Sequence, residues 1–236
     1  MILAGPGSGK TTVVTNRILN MIDNCKVNPE NILVITFTRM AALQMKERFL
    51  KLASESDVHD NAELYDGVTF GTFHSVFFMI LKNAGEYAGY NVITQKAQRA
   101  FIREQLLYYN IPLPSDGEME DDILNDIAKA KGCGKSARFN PISCENDFFE
   151  KIYNEYELFM NQYKYVDFED MMIRTLHMLE SDKESLNLWQ EKYKYIMVDE
   201  FQDVSPVQLR LINMLAQKNR NIFVVGDDDQ SIYGFR

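Results

Sequence analysis

The stretch Ile2-Leu3-Ala4-Gly5-Pro6-Gly7-Ser8-Gly9-Lys10-Thr11-Thr12 constrains the fold more than any other part of the chain. A short apolar run enters a glycine-rich turn, and Lys-Thr-Thr opens a segment with helical spacing. That order is the layout of a phosphate-binding loop between a strand and a helix. Gly5, Gly7 and Gly9 allow the backbone to curl so that successive N–H groups face one anion. The positive end of the following helix adds to the attraction. In this layout Ser8 and Thr12 border the phosphates, Lys10 reaches the outer ones, and the Thr11 hydroxyl holds Mg²⁺. The strict pattern places Gly where this chain has Ala4. A turn rich in Gly, Ser and Lys can also be a plain surface loop, but the flanking strand and helix favour the nucleotide reading.

The chain has 236 residues, 46% of them hydrophobic, enough to bury a core in one or two domains. No apolar run approaches the roughly 20 residues that span a bilayer, so no membrane contact is expected. No signal peptide precedes the loop, and Cys25, Cys133 and Cys144 lack metal-ligand spacing, so a reducing cytoplasm is the expected compartment. The net charge of −9 argues against a wholesale electrostatic grip on nucleic acid. A local groove lined with basic and aromatic groups remains compatible with it.

Downstream, apolar positions Val14, Ile18, Leu19 and Ile22 predict a helix over residues 11–23. Residues 32–37 form a nearly unbroken β-prone run, as in a buried parallel strand. Helical spacing returns over 40–52, a short strand over 68–70 and an apolar helix over 74–82. Strand and helix alternate, so the fold class is α/β: a parallel sheet flanked by helices. From residue 85 to 164 the character changes to helices (95–109, 121–131 and 145–163) separated by Pro- and Gly-containing linkers. This reads as an all-helical subdomain inserted between 1–84 and 165–236. Within it, residues 116–126 are acidic and read as a solvated face. Residues 129–138 are basic and read either as a phosphate contact or as a solvated loop. Sheet logic resumes with a strand at 195–198, a helix at 206–217 and a strand at 222–225.

Three loops therefore fall at the carboxyl ends of strands, where parallel α/β sheets bind ligands. Besides the first, Asp199-Glu200-Phe201-Gln202-Asp203 follows four apolar residues. That arrangement supplies one carboxylate for Mg²⁺ and a neighbour to activate the attacking water. The third, Gly226-Asp227-Asp228-Asp229-Gln230, offers Gln230 as a sensor of the terminal phosphate.

The first loop, Asp199-Glu200-Phe201-Gln202-Asp203, and Gly226-Asp227-Asp228-Asp229-Gln230-Ser231-Ile232-Tyr233 resemble motifs I, II and III of the UvrD/Rep/PcrA superfamily 1 DNA helicases. Thr36-Phe37-Thr38-Arg39-Met40-Ala41-Ala42 resembles motif Ia, where the family more often has Asn-Lys at positions 39 and 40. Gly71-Thr72-Phe73-His74-Ser75 resembles motif Ib. Asp167-Phe168-Glu169-Asp170 is similar to the segment where that family's chain returns from subdomain 1B to 1A. The resemblance covers essentially the whole chain, and Ala4 suits it.

The resemblance implies a RecA-like P-loop NTPase domain using ATP and Mg²⁺. Lys10 binds phosphate, Thr11 and Asp199 hold Mg²⁺, and Glu200 is the catalytic base. Gln230 couples hydrolysis to motion, with Gln202 as its helper at the nucleotide. For DNA it implies Phe37, Thr72, His74, Tyr233, Phe235 and Arg236, with aromatics stacking on bases; for Phe37 and Phe73, aromatics at strand ends, a core position is the alternative, and it weighs more for Phe73. The implied partners are single-stranded DNA, duplex junctions and a second motor domain absent from this chain. The chain is then expected to be the first motor domain of a longer, 3′–5′ helicase, with little activity alone. Two other readings stay open: a self-contained P-loop kinase or small NTPase, and a non-catalytic DNA-binding module. The intact set Lys10, Thr11, Asp199, Glu200 and Gln230 argues against decay of the site.

Overall fold

The computed structural model describes residues 2–3, 9–55, 62–112, 117–133 and 139–227. Gly5, Gly7, Ser8, Gln230, Tyr233, Phe235 and Arg236 lie outside the described residues. Strand β1 (Ile2–Leu3) precedes helix α1 (Lys10–Asp23), then β2 (Ile32–Thr36), α2 (Arg39–Ser54), β3 (Thr69–Thr72) and α3 (Phe73–Asn83). Next come β4 (Asn91–Val92), α4 (Gln95–Tyr108), α5 (Glu118–Cys133), α6 (Asn146–Gln162) and β5 (Tyr165–Val166). Helices α7 (Phe168–Ser181) and α8 (Lys183–Lys192) lead to β6 (Tyr195–Val198), α9 (Pro206–Ala216) and β7 (Ile222–Gly226).

Five strands form one sheet in the order β1-β7-β6-β2-β3, and every pairing within it is parallel. All five residues of β2 are buried, which is why it reads as an unbroken apolar run with no alternation. The core beneath it joins Ile18 and Ile22 of α1, Met45 and Phe49 of α2, and Met197 and Val225 of the neighbouring strands. Local chemistry sets the helix starts. The Thr38 side chain accepts from the Ala41 N–H at the start of α2. Ser205 and Gln208 form a reciprocal capping box on α9, where Pro206 occupies the first turn.

The chain divides into two compact units, Met1–Ile80 with Leu176–Arg236, and Leu81–Thr175. The second unit is mostly helical, around Ile102, Leu106, Ile123, Ile127, Ile152, Tyr156 and Met160. It also holds a parallel pair of two-residue strands, β4 and β5, which the sequence did not announce. Two charged stretches behave differently from their sequence reading. The acidic run is not wholly a solvated face: Glu120 and Asp126 are buried, and Asp126 accepts the N–H groups of Ile142 and Ser143. In the basic run, Lys131 is buried among Asp167, Asp170 and Glu157, so neither a phosphate contact nor a solvated loop describes it. No described helix is long and apolar enough to cross a membrane.

Candidate functional site

The parallel sheet brings the carboxyl ends of β1, β7, β6, β2 and β3 to one edge, and the sequence motifs fall along it. At one side Gly9 adopts φ 83, the left-handed region that favours glycine, and caps the start of α1. Its carbonyl accepts the Val13 N–H at 3.0 Å, so the helix begins at once. Lys10 is then the first helical residue, and its side chain is only 10% exposed. Its Nζ lies 3.5 Å from Glu200 Oε2 and 3.8 Å from Asp227 Oδ2. The start of α1 and the ends of β6 and β7 therefore converge on one ammonium. Thr11 and Thr12 are half-buried in the same turn. Their carbonyls accept the Thr15 hydroxyl, which is buried in the helix.

Asp199 continues the β6–β2 ladder by donating its N–H to the Ile35 carbonyl at 2.9 Å. Its buried carboxylate accepts the Glu200 N–H at 3.1 Å. Burial first, and then the neighbouring Glu200 charge, hold Asp199 above the ordinary carboxylate range. A buried acid whose ionised form is disfavoured suits a divalent cation, which would reverse that imbalance. Asp199 and the Thr11 hydroxyl are hard oxygen donors of the kind Mg²⁺ takes, so the residues fit the ion. Asp203 points the same way: burial and Glu200 raise it, and its Oδ1 is buried without a hydrogen-bond partner among the described residues.

Glu200 has φ 51, a left-handed conformation that is costly for a side-chain-bearing residue and is often kept at functional positions. A single turn of 3-10 helix, Phe201–Asp203, follows and turns Gln202 back toward the site. The Gln202 Nε2 donates to Glu200 Oε2 at 2.8 Å, and its Oε1 accepts the Asp227 N–H at 2.9 Å. Asp227, only 2% exposed, was missed as a site residue. Its signals in the sequence are an acid directly after an apolar strand and a place within the segment that resembles motif III.

On the other half of the edge, Thr36 and Thr72 are register partners at the ends of β2 and β3. Phe37 follows β2 and is half-buried. Thr72 is buried, and its hydroxyl caps α3 by accepting the Ser75 N–H at 3.2 Å. His74 is half-buried in the first turn of α3. Phe73 is 2% exposed and stacks on Phe77, as a core residue does. Gly71 matches a crowded spot rather than a turn: a Cβ there would lie 2.8 Å from Val76.

The profile of the UvrD/REP helicase N-terminal domain family matches residues 1–236, the whole chain. The chain is 35% identical over 245 residues to the ATP-dependent DNA helicase PcrA of Leuconostoc citreum, covering 100% of this chain and 31% of that protein. It is 34% identical over 241 residues to PcrA of Staphylococcus aureus, covering 100% of this chain and 32% of the relative. It is also 34% identical over 250 residues to PcrA of Staphylococcus epidermidis, with the same coverage. The chain thus spans about a third of the length of these relatives.

Proposed function

Because the chain belongs to the UvrD/REP helicase family, as its N-terminal domain, we propose that it is the first motor domain of an ATP-dependent DNA helicase. The observation that carries this reading is the convergence of Lys10 with Glu200 and Asp227. A nucleotide polyphosphate laid against the start of α1 meets the backbone N–H groups of the helix end and the Lys10 ammonium. Asp199 and Thr11 hold Mg²⁺, which when bound offsets phosphate charge. Glu200 takes a proton from water as the water oxygen bonds to the γ-phosphorus. The bond to the β–γ bridging oxygen breaks, and ADP leaves with the electron pair. Lys10 faces the charge that spreads over the transferred group. Gly5, Gly7, Ser8, Gly9, Thr12 and Gln230 complete the nucleotide site in this reading.

Single-stranded DNA runs along the other half of the same edge. Phe37 stacks on a base, Thr72 and His74 border the backbone, and Tyr233, Phe235 and Arg236 extend the track. A second motor domain, of the size that the relatives' extra length allows, closes over the nucleotide. The test is ATP hydrolysis with and without single-stranded DNA, in this chain and in a protein that also carries the second motor domain. DNA-stimulated turnover in the longer protein, absent in its Lys10→Ala variant, supports the reading. Brisk, DNA-independent hydrolysis by the 236-residue chain would overturn it.

A further inference from the structure

We propose that Gln202 is a positioning residue that ties the Glu200 carboxylate to the base of the loop after β7, and that Gly226 lacks a side chain in order to admit it. The proposal rests on the hydrolytic reading above, in which Glu200 accepts the proton of the attacking water.

The Gln202 amide is engaged at both ends, with Nε2 on Glu200 Oε2 at 2.8 Å and Oε1 on the Asp227 N–H at 2.9 Å. Only one orientation of the amide serves both, because a carboxylate can only accept and a backbone N–H can only donate. The donor to Glu200 and the acceptor for Asp227 are therefore fixed together. Lys10 approaches the same Oε2, and among the described residues no hydrogen bond or ion pair falls on Glu200 Oε1. One carboxylate oxygen is held and the other is left for the proton. A base held this way does not have to be oriented during the reaction.

Gly226 supplies the independent half of the argument. It is absent from the glycines at positive φ, so its backbone does not call for glycine. A Cβ on it would instead lie 2.9 Å from Gln202 Oε1, closer than such atoms approach, and at an ordinary 3.5 Å from the Gln202 nitrogen and Phe201 Cβ. The one group that must shift on adding a methyl is the Gln202 amide. The two hydrogen bonds of Gln202 join two protein elements, the turn after β6 and the end of β7. Movement at the Asp227 amide is thereby transmitted to Glu200 through a single side chain.

The experiment uses the protein carrying both motor domains, with steady-state ATP hydrolysis on single-stranded DNA and affinity for a fluorescent ATP analogue measured in parallel. Gln202→Ala and Gly226→Ala are each expected to lower kcat about ten-fold with nucleotide affinity unchanged, since the positioning of a reacting group acts on turnover rather than on binding. The double variant is expected to be no slower than Gln202→Ala alone, because the added methyl then has nothing to displace. Gln202→Glu keeps the size and an acceptor for Asp227 but loses the donor to Glu200. It also sets a second carboxylate against Glu200, so its kcat should fall with the others, while retained binding of the nucleotide analogue shows that it is folded. Loss of affinity without loss of kcat, unchanged kinetics, or additive losses in the double variant would each overturn the proposal. A wild-type protein with no DNA-stimulated hydrolysis would overturn the parent reading, and this one with it; the two failures are told apart by the wild type alone.

Discussion

Each unit of this protein buries one lysine among acids, and the two are built to opposite ends. Lys131 in α5 is 4% exposed and touches Asp167 at 2.7 Å, Glu157 at 2.8 Å and Asp170 at 3.0 Å. Tyr156 closes the cluster by donating to Asp167 and lying under the ammonium. Lys10 is 10% exposed, yet its two carboxylates stand off at 3.5 and 3.8 Å. An ammonium has three donors; Lys131 gives a hydrogen bond to Asp167 and holds Glu157 and Asp170 as close ion pairs. Among the described residues, Lys10 faces its acids without a close contact. A buried charge is tolerable only when paired, so Lys131 has the arrangement of a fixed joint between helices. Lys10 has that of a cation kept for a further anion, beside an acid whose charge is itself disfavoured.

Removing each cation should separate the two roles. Lys131→Met strands three acids in the helical unit and is expected to cost about 3–5 kcal/mol in urea unfolding. The affinity of the folded variant for nucleotide should not change. Lys10→Ala is expected to lower kcat of the longer protein by about 10²–10³-fold while leaving the unfolding curve of this chain nearly in place. If Lys10→Ala instead unfolds the protein, its role is structural and the contrast between the two lysines fails.

Much of the first unit was legible in the sequence because its signals are local. A strand buried on both faces reads as a continuous apolar run, as at Ile32–Thr36, and a helix start reads from its cap, as at Ser205 and Pro206. The order of Lys10, Asp199 and Glu200 along alternating strands and helices was enough to bring them to one sheet edge. What stayed hidden depends on partners distant in sequence or on small geometric fits. Lys131 reads as part of a basic run, a phosphate contact or a solvated loop, because its nearest acid, Asp167, lies 36 residues on. Helix α8 went unread because Lys183–Lys192 is mostly polar and buries only Trp189 and Gln190. The segment from Asp167, similar to that family's return from 1B to 1A, also starts α7, with the Asp170 N–H donating to Asp167, a local contact that the motif does not announce. The hydrogen bonds of Gln202 to Glu200 and Asp227 are not legible in its motif, because an amide's two partners are decided by the turn that carries it.

The Lys131 cluster also has a pH signature. Burial, and then the Asp167 charge, push Asp170 up to about 6 against the pull of Lys131 and Arg174. Its folded value thus lies above the unfolded one of about 3.9, so the folded state binds this proton more tightly. The resulting stabilisation is complete below about pH 4 and is lost as pH rises through 6. Glu169, raised chiefly by burial, acts in the same sense. Chemical unfolding between pH 4 and 7 should therefore show this contribution decline by on the order of 1–3 kcal/mol. Asp170→Asn should remove most of that slope; an unchanged slope would mean that another group is responsible.

The smallest effect tests whether the cluster behaves as a unit. The Tyr156 hydroxyl donates to Asp167 Oδ2 at 3.2 Å and accepts from Gln98 Nε2 at 2.7 Å, linking α4, α6 and the acids before α7. Burial, and then Asp167, hold that phenol above its ordinary range, so it remains a donor throughout the accessible pH. Tyr156→Phe keeps the ring beneath Lys131 and removes only the hydroxyl, leaving the Gln98 amide short of an acceptor. A loss of about 1–2 kcal/mol is expected in urea unfolding. In the Lys131→Met background the same change should cost measurably less. There Asp167 has lost its ammonium, and the phenol no longer works within a shared network. Equal costs in both backgrounds would show that the hydroxyl and the lysine act separately. The cluster would then be a set of independent contacts, and its contrast with Lys10 would rest on distance alone.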